Sequence, residues 1–201
     1  MVSAQVVKEL RELSGAGMMD CKKALQESNG DIKKAMEVLR KNGIAKAQKK
    51  VGRSALDGAI FPYIHPGSKL GVLLEVNCET DFVARTEGFQ EFCKDVAMHI
   101  AATSPVSIRR EDISDDIVET EKEIFRDQSR KSGKPDDIIE KMITGRMNKF
   151  YQESVLLEQS FVKNPDITIK ELLTDTIAKL GENISIARFS RFQLGENAPK
   201  T

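Results

Sequence analysis

The apolar residues of this chain change their repeat from helical to alternating and back, and that restricts the fold more than any composition figure. Over residues 1–44 they recur at three and four: Val6, Val7, Leu10 and Leu13, then Met18, Cys21, Ala24 and Leu25, then Ile32, Ala35, Met36 and Leu39. That spacing puts each set along one side of a helix. Ser3 stands where a cap opens the first helix, and Ser14-Gly15-Ala16-Gly17 breaks it. Asn29-Gly30 ends the second with a left-handed signal, Asp31 caps the third, and Asn42-Gly43 closes it. The expectation is a three-helix bundle over 1–44. A unit so small buries little surface, which favours a recognition module over a catalytic scaffold. The pairs Lys22-Lys23 and Lys33-Lys34 read as solvated faces, with an acidic protein or RNA as the other reading.

Further on the period becomes two. Val72, Leu74 and Val76 alternate with Leu73, Glu75 and Asn77, and Ala55 to Tyr63 precedes them across Pro66-Gly67-Ser68. Two such runs around a turn make an antiparallel hairpin with one apolar face, although Pro62 and Pro66 blur its strand ends. Residues 45–54, Ala-Lys-Ala-Gln-Lys-Lys-Val-Gly-Arg-Ser, read as a basic linker.

The helical period then resumes in Phe89, Phe92, Cys93, Val96, Ala97 and Ile100, ending before Ser104-Pro105. Residues 111–158 suggest a helical hairpin. Ser114 caps Ile117, Val118, Ile124 and Phe125, and Ser132-Gly133-Lys134-Pro135 starts a helix with Ile138, Ile139, Met142, Met147, Phe150, Val155 and Leu156. Thr168-Ile169-Lys170-Glu171 is a capping box for Leu172, Leu173, Ile177 and Leu180, with Gly181 as the stop. A last strand from Ile184 to Phe192 joins the hairpin as an edge, its Arg188 and Arg191 serving solvent, ion pairs or a partner. The class is α+β. The division is a bundle at 1–44, a linker at 45–54, a core at 55–195 that includes the helical hairpin of about 111–158, and a tail at 196–201.

Several kinds of chemistry are excluded by what is missing. Lys plus Arg equal Asp plus Glu at 31 each, so a chain devoted to gripping phosphate backbone is disfavoured. No run reaches membrane-spanning length, and Met1-Val2-Ser3-Ala4-Gln5 resembles neither a signal nor a transit peptide, which points to the cytoplasm. Cys21, Cys78 and Cys93 form no CxxC pair and read as reduced, buried thiols. With His65 and His99 the only histidines, no metal site is expected. No phosphate-cradling glycine loop or nucleophile elbow is present, so neither a cofactor nor an enzymatic activity is expected.

Attention therefore falls on Asn77-Cys78-Glu79-Thr80-Asp81-Phe82-Val83, where the strand stops and a helix begins. Phe82 lies seven positions before Phe89, and periodicity assigns it to the core. Against that, Thr80 and Asp81 are cap residues that place Phe82 at the helix mouth, and Arg85-Thr86-Glu87-Gly88 can interrupt the helix and separate the two aromatics.

Two segments carry a family resemblance: Leu10-Arg11-Glu12-Leu13-Ser14-Gly15-Ala16-Gly17-Met18-Met19-Asp20-Cys21-Lys22-Lys23-Ala24-Leu25 and Glu75-Val76-Asn77-Cys78-Glu79-Thr80-Asp81-Phe82-Val83-Ala84. Gly133-Lys134-Pro135, Leu157-Glu158-Gln159-Ser160-Phe161-Val162 and Arg188-Phe189-Ser190-Arg191-Phe192 with Gly195-Glu196 add weaker support. In these the chain resembles the bacterial elongation factor Ts family, guanine-nucleotide exchange factors of elongation factor Tu. The resemblance implies a ubiquitin-associated-like N-terminal bundle, docking through Leu13, Gly15, Ala16, Gly17, Met18 and Met19. It also implies a core whose Thr80, Asp81, Phe82 and Val83 press into the partner beside its magnesium and phosphate site. Phe82 would be the wedge and Asp81 would fix the helix mouth. Longer family members carry a second core half, so a homodimer, and a two-plus-two complex with elongation factor Tu, is implied for a chain of this length. The competing expectation is an RNA- or ribosome-binding module acting through Lys46, Lys49, Lys50 and Arg53.

Overall fold

A computed structural model describes residues 2–130 and 135–196. The helix start expected at Ser132-Gly133-Lys134 and the tail beyond Glu196 lie outside them. In chain order the elements are α1 (Ala4–Ser14), α2 (Met18–Glu27), α3 (Ile32–Gln48), β1 (Asp57–Ile64), β2 (Leu70–Cys78), α4 (Asp81–Ala84), α5 (Glu87–Thr103), α6 (Asp115–Arg130), α7 (Asp136–Ser154), β3 (Ser160–Phe161), β4 (Asn164–Thr168), α8 (Ile169–Leu180) and β5 (Ser185–Gln193). The mixture is α+β, as expected. Three strands form an antiparallel sheet in the order β1-β2-β5, and β3 and β4 pair antiparallel in a separate two-stranded sheet. Pro62 lies inside β1 and is tolerated because β1 is an edge. Along β2, Val72, Leu74 and Val76 are buried and Leu73 is exposed, so the alternation fixes which face is covered.

Contacts divide the chain into two units, one of Met1–Phe61, Glu75–Lys94 and Glu171–Ala187, the other of Pro62–Leu74, Asp95–Lys170 and Arg188–Thr201. In the first, Ser3 caps α1 by accepting the Val6 N–H at 3.3 Å, and Gly15, at φ 66°, ends the helix and returns its N–H to Arg11 O. Asp31 caps α3 through the Lys34 N–H at 3.1 Å. Val7, Leu10, Cys21, Ala24, Leu25 and Ala35 form the bundle core, with Ile32 and Leu39 packed against it.

Three residues expected on that inner face are outside it: Leu13, Met18 and Met36 are 62%, 47% and 37% exposed. Leu13 and Met18 sit at the ends of their helices, flanking the Gly15–Gly17 turn.

α3 also overruns its expected stop at Asn42-Gly43 and continues to Gln48. A glycine in a helix interior costs only about 1 kcal/mol, and Gly43 keeps helical backbone. Its missing side chain lets α8 approach: a Cβ there would stand 3.4 Å from Ala178 Cβ. Arg40 pairs with Glu171 on α8 at 2.5 Å, Ala47 is buried, and Lys46 pairs with Asp20 at 2.7 Å. The first four residues of the expected linker are therefore helix, and the turn comes at Lys49 to Gly52.

In the second unit α6 and α7 pair around Ile139, Ile143 and Met147, with Val118, Phe125, Phe150 and Tyr151 against them. Ile117 and Ile124, expected inside, are exposed, and so is Ile138. Val155 and Leu156 are buried, and the Leu156 N–H donates to Ser107 O at 2.9 Å. Arg110 grips Glu158 and lies 4.3 Å from the centre of the Tyr151 ring. The Arg110 guanidinium holds the Glu158 carboxyl below its usual range.

His99 is fully buried, as a structural histidine. Its Nδ1 accepts the Val162 N–H at 3.3 Å, so Nε2 carries the proton and donates to Gln159 Oε1 at 2.9 Å. Burial lowers its pKa from 6.5. A neutral folded histidine binds fewer protons than the unfolded one once pH falls below 6.5. The stability it contributes is therefore complete above that value and lost on acidification. The urea midpoint is expected to fall between pH 7.5 and 5.5, and His99→Gln should lack that component. The loss from Glu158 belongs to a separate window, beginning as pH drops through its unfolded value of 4.5.

Candidate partner interface

At the end of β2 the backbone turns out through Glu79 and Thr80 into α4, a helix of only four residues. Thr80 is its cap, accepting the Val83 N–H at 3.4 Å. Thr86 interrupts the helix before α5, its hydroxyl donating to Val83 O at 2.7 Å and accepting from the Phe89 N–H. The break turns Phe82 away from the α5 stripe. Phe89, Phe92, Cys93, Val96, Ala97 and Ile100 are all buried, whereas Phe82 is 78% exposed. The core assignment from periodicity does not hold for Phe82.

The expected site residues separate by what they present. Asp81 does not cap α4; it occupies the first helical position and its carboxylate takes Arg85 at 2.7 Å, on the surface. Val83 is buried with Ala84 and anchors α4 from beneath. At the other expected contact, Leu13, Met18 and Met19 expose large apolar side chains around a turn made by Gly15, Ala16 and Gly17. Phe82 and this trio belong to the same unit. Exposed apolar side chains on short, well-anchored turns suit a protein-binding surface.

The residues that anchor the Phe82 turn were not found from sequence. Glu182, just past the end of α8, accepts the Glu79 N–H at 3.1 Å and the Thr80 N–H at 3.0 Å through one oxygen, and the Thr80 hydroxyl at 2.7 Å through the other. Glu79 Oε1 in turn accepts the Asn183 N–H at 2.7 Å, and Asn183 Nδ2 donates to Arg53 O at 2.7 Å. Arg53 closes the ring, 3.7 Å from Glu79 Oε2. An acidic residue after a helix-stopping glycine gives no local hint of this, because its partners are about a hundred positions away.

Beneath the turn, Cys78 donates its thiol to Thr80 O at 3.1 Å. Burial and the Glu182 charge push its pKa up, and Cys93 is pushed up to about 12 chiefly by burial. Both remain thiols at neutral pH, and all three cysteines are free and buried. Among the described residues no group of three or more His, Cys, Asp or Glu is placed to hold a metal, and no helix is long and apolar enough to cross a membrane.

The family model described as Elongation factor TS matches residues 2–196. Proteins named Elongation factor Ts are similar along the whole chain. The one from Carboxydothermus hydrogenoformans is 57% identical over 200 residues, covering 100% of this chain and 92% of its own. That of Fervidobacterium nodosum is 56% identical over 195 residues, 97% of this chain and 99% of its own. That of Caldanaerobacter subterraneus subsp. tengcongensis is 55% identical over 200 residues, 100% of both. With the exposed Phe82 turn and the Leu13–Met19 turn both lying within the matched span, the chain belongs to the elongation factor Ts family of translation elongation factors.

Proposed function

We propose that this protein is a guanine-nucleotide exchange factor for elongation factor Tu, acting by binding and with no catalytic residue of its own. The observation that carries the reading is Phe82: a large aromatic, exposed, on a four-residue helix capped by Thr80 and seated on the buried Val83 and Ala84. A GTPase holds its nucleotide with phosphate-loop amides, a lysine and a magnesium ion. A factor that binds the empty form better than the loaded form lowers nucleotide affinity by the same ratio, because linkage is reciprocal. Phe82 inserted beside the magnesium and phosphate site supplies part of that ratio. The turn carrying Leu13, Met18 and Met19 adds binding area elsewhere on the partner.

Burying one phenylalanine is worth roughly 1.5 to 3 kcal/mol, about ten- to a hundredfold. The rest of the effect comes from lost magnesium and phosphate contacts and from the wider surface. The test is release of labelled GDP from elongation factor Tu, which this chain should accelerate in the manner of a catalyst. Unchanged release at excess factor removes the proposal.

In the same reading the working form is a cytoplasmic homodimer bound to two copies of elongation factor Tu. Ile64, Leu73 and Phe192, all in the second unit, expose apolar area on the strands of the three-stranded sheet, which supports a second copy there. Light scattering should return twice the chain mass alone. The RNA-binding reading has poorer support, since Lys46 and Arg53 of the basic segment are paired with Asp20 and Glu79.

A further inference from the structure

We infer that Glu182 is the positioning residue of the Phe82 turn, and that it acts on nucleotide exchange only through Phe82. The inference rests on the exchange reading above. Three donors converge on this one carboxylate, from two consecutive backbone amides and the capping hydroxyl of α4. The Val83 N–H bond to Thr80 Oγ1 is long, at 3.4 Å, so the hydroxyl's second bond to Glu182 orients the cap. α4 has four residues and cannot stabilise itself, since isolated helices that short do not form. Its attachments are the buried pair Val83 and Ala84 below, the Thr86 bonds behind and Glu182 in front. Val83 and Ala84 fix where α4 sits. Glu182 fixes the entry of the chain into it, and hence the direction of the side chain two residues on.

Without Glu182 the turn samples other directions, and apparent partner affinity falls by the fraction still aimed correctly. The Asn183 N–H, donating to Glu79 Oε1, ties the same two segments together in the reverse direction. Glu182 is half-buried, so it orders the turn without needing to meet the partner.

The experiment is a double-mutant cycle read as stimulated GDP release at low factor concentration, with Glu182→Ala, Phe82→Ala and both together. Glu182→Ala is expected to slow release about tenfold. In the Phe82→Ala background it should cost nothing further, whereas a residue acting by general stability or by its own partner contact would lower both backgrounds equally. Equal losses overturn the inference, as does full activity of Glu182→Ala. Amide hydrogen exchange of the free protein gives a second readout that does not need the partner. The Glu79 and Thr80 amides should exchange at least tenfold faster in the variant while those of α5 stay protected, and unchanged rates overturn the inference. If Phe82→Ala alone has no effect, the wedge and the action of Glu182 through it are both overturned, while GDP release stimulated by the parent chain separately decides the exchange reading. Should Glu182→Ala melt early, Glu182→Asp keeps the charge but withdraws it by one methylene, and the same losses in milder form are expected.

Discussion

Phe82→Ala should slow stimulated GDP release by roughly ten- to a hundredfold, while the melting temperature of the free protein stays within about 2 °C of the parent. Both halves follow from exposure. At 78% exposed, the ring contributes almost nothing to the fold, so its apolar area is still unburied until a partner covers it. Phe89, seven residues on and 0% exposed, is the matched control. Phe89→Ala should cost about 3 to 5 kcal/mol of stability, through lost transfer energy and the cavity left behind. The same change at two phenylalanines should thus separate activity from stability. If Phe82→Ala unfolds the protein at lower urea yet exchanges normally, the wedge assignment is wrong.

Gly58→Ala should be the most damaging single-methyl change in the sheet, costing about 3 kcal/mol or more by urea denaturation. Gly58 holds φ at 142°, and a Cβ there would lie 2.1 Å from Val76 O and 2.8 Å from Asn77 Cα. Those neighbours are backbone, so relief requires β1 to move off the end of β2. Gly67→Ala is the comparison: at φ 94° it is also strained, but nothing lies within 4 Å, so only the cost of the backbone conformation, about 1 to 2 kcal/mol, is expected. Because Val76 and Asn77 lead directly into Glu79 and Thr80, any Gly58→Ala protein that folds should also exchange slowly. Equal costs at the two glycines would contradict the close packing at Gly58.

The parts legible in the sequence were those decided within a few residues. The caps Ser3, Asp31 and Thr80, the breaks at Gly15 and Gly30, and the buried alternation of β2 all follow from local chemistry and period. What was misread depended on a neighbour far along the chain. Asn42-Gly43 carries a stop signal, but α8 rests against Gly43 and the helix continues. Leu13 and Met18 fit helical stripes but stand at the ends of short helices, which the small bundle leaves uncovered, while Ile117 and Ile124 lie on the side of α6 that is not turned toward the Ile139, Ile143 and Met147 core of α7. The two-residue β3 is too short to show a period. Spacing alone puts Phe82 in the core, because a seven-residue interval to Phe89 fits one continuous stripe and does not register a break in the helix between them. The Thr86 hydroxyl settles it by ending α4 one turn early. Glu182 was invisible for the opposite reason, since all its bonds are made to another part of the chain.

That distance sets the order in which the protein becomes competent. Residues 77–83 leave the ribosome long before Glu182 is polymerised, and the loop that joins Thr80 to Glu182 spans 102 positions. Closing so long a loop is an entropic cost met only when α8 and β5 have found their places. A nascent chain therefore displays the complete motif without the carboxylate that aims it. The proposed exchange activity should therefore reach its full rate only once synthesis has passed Glu182.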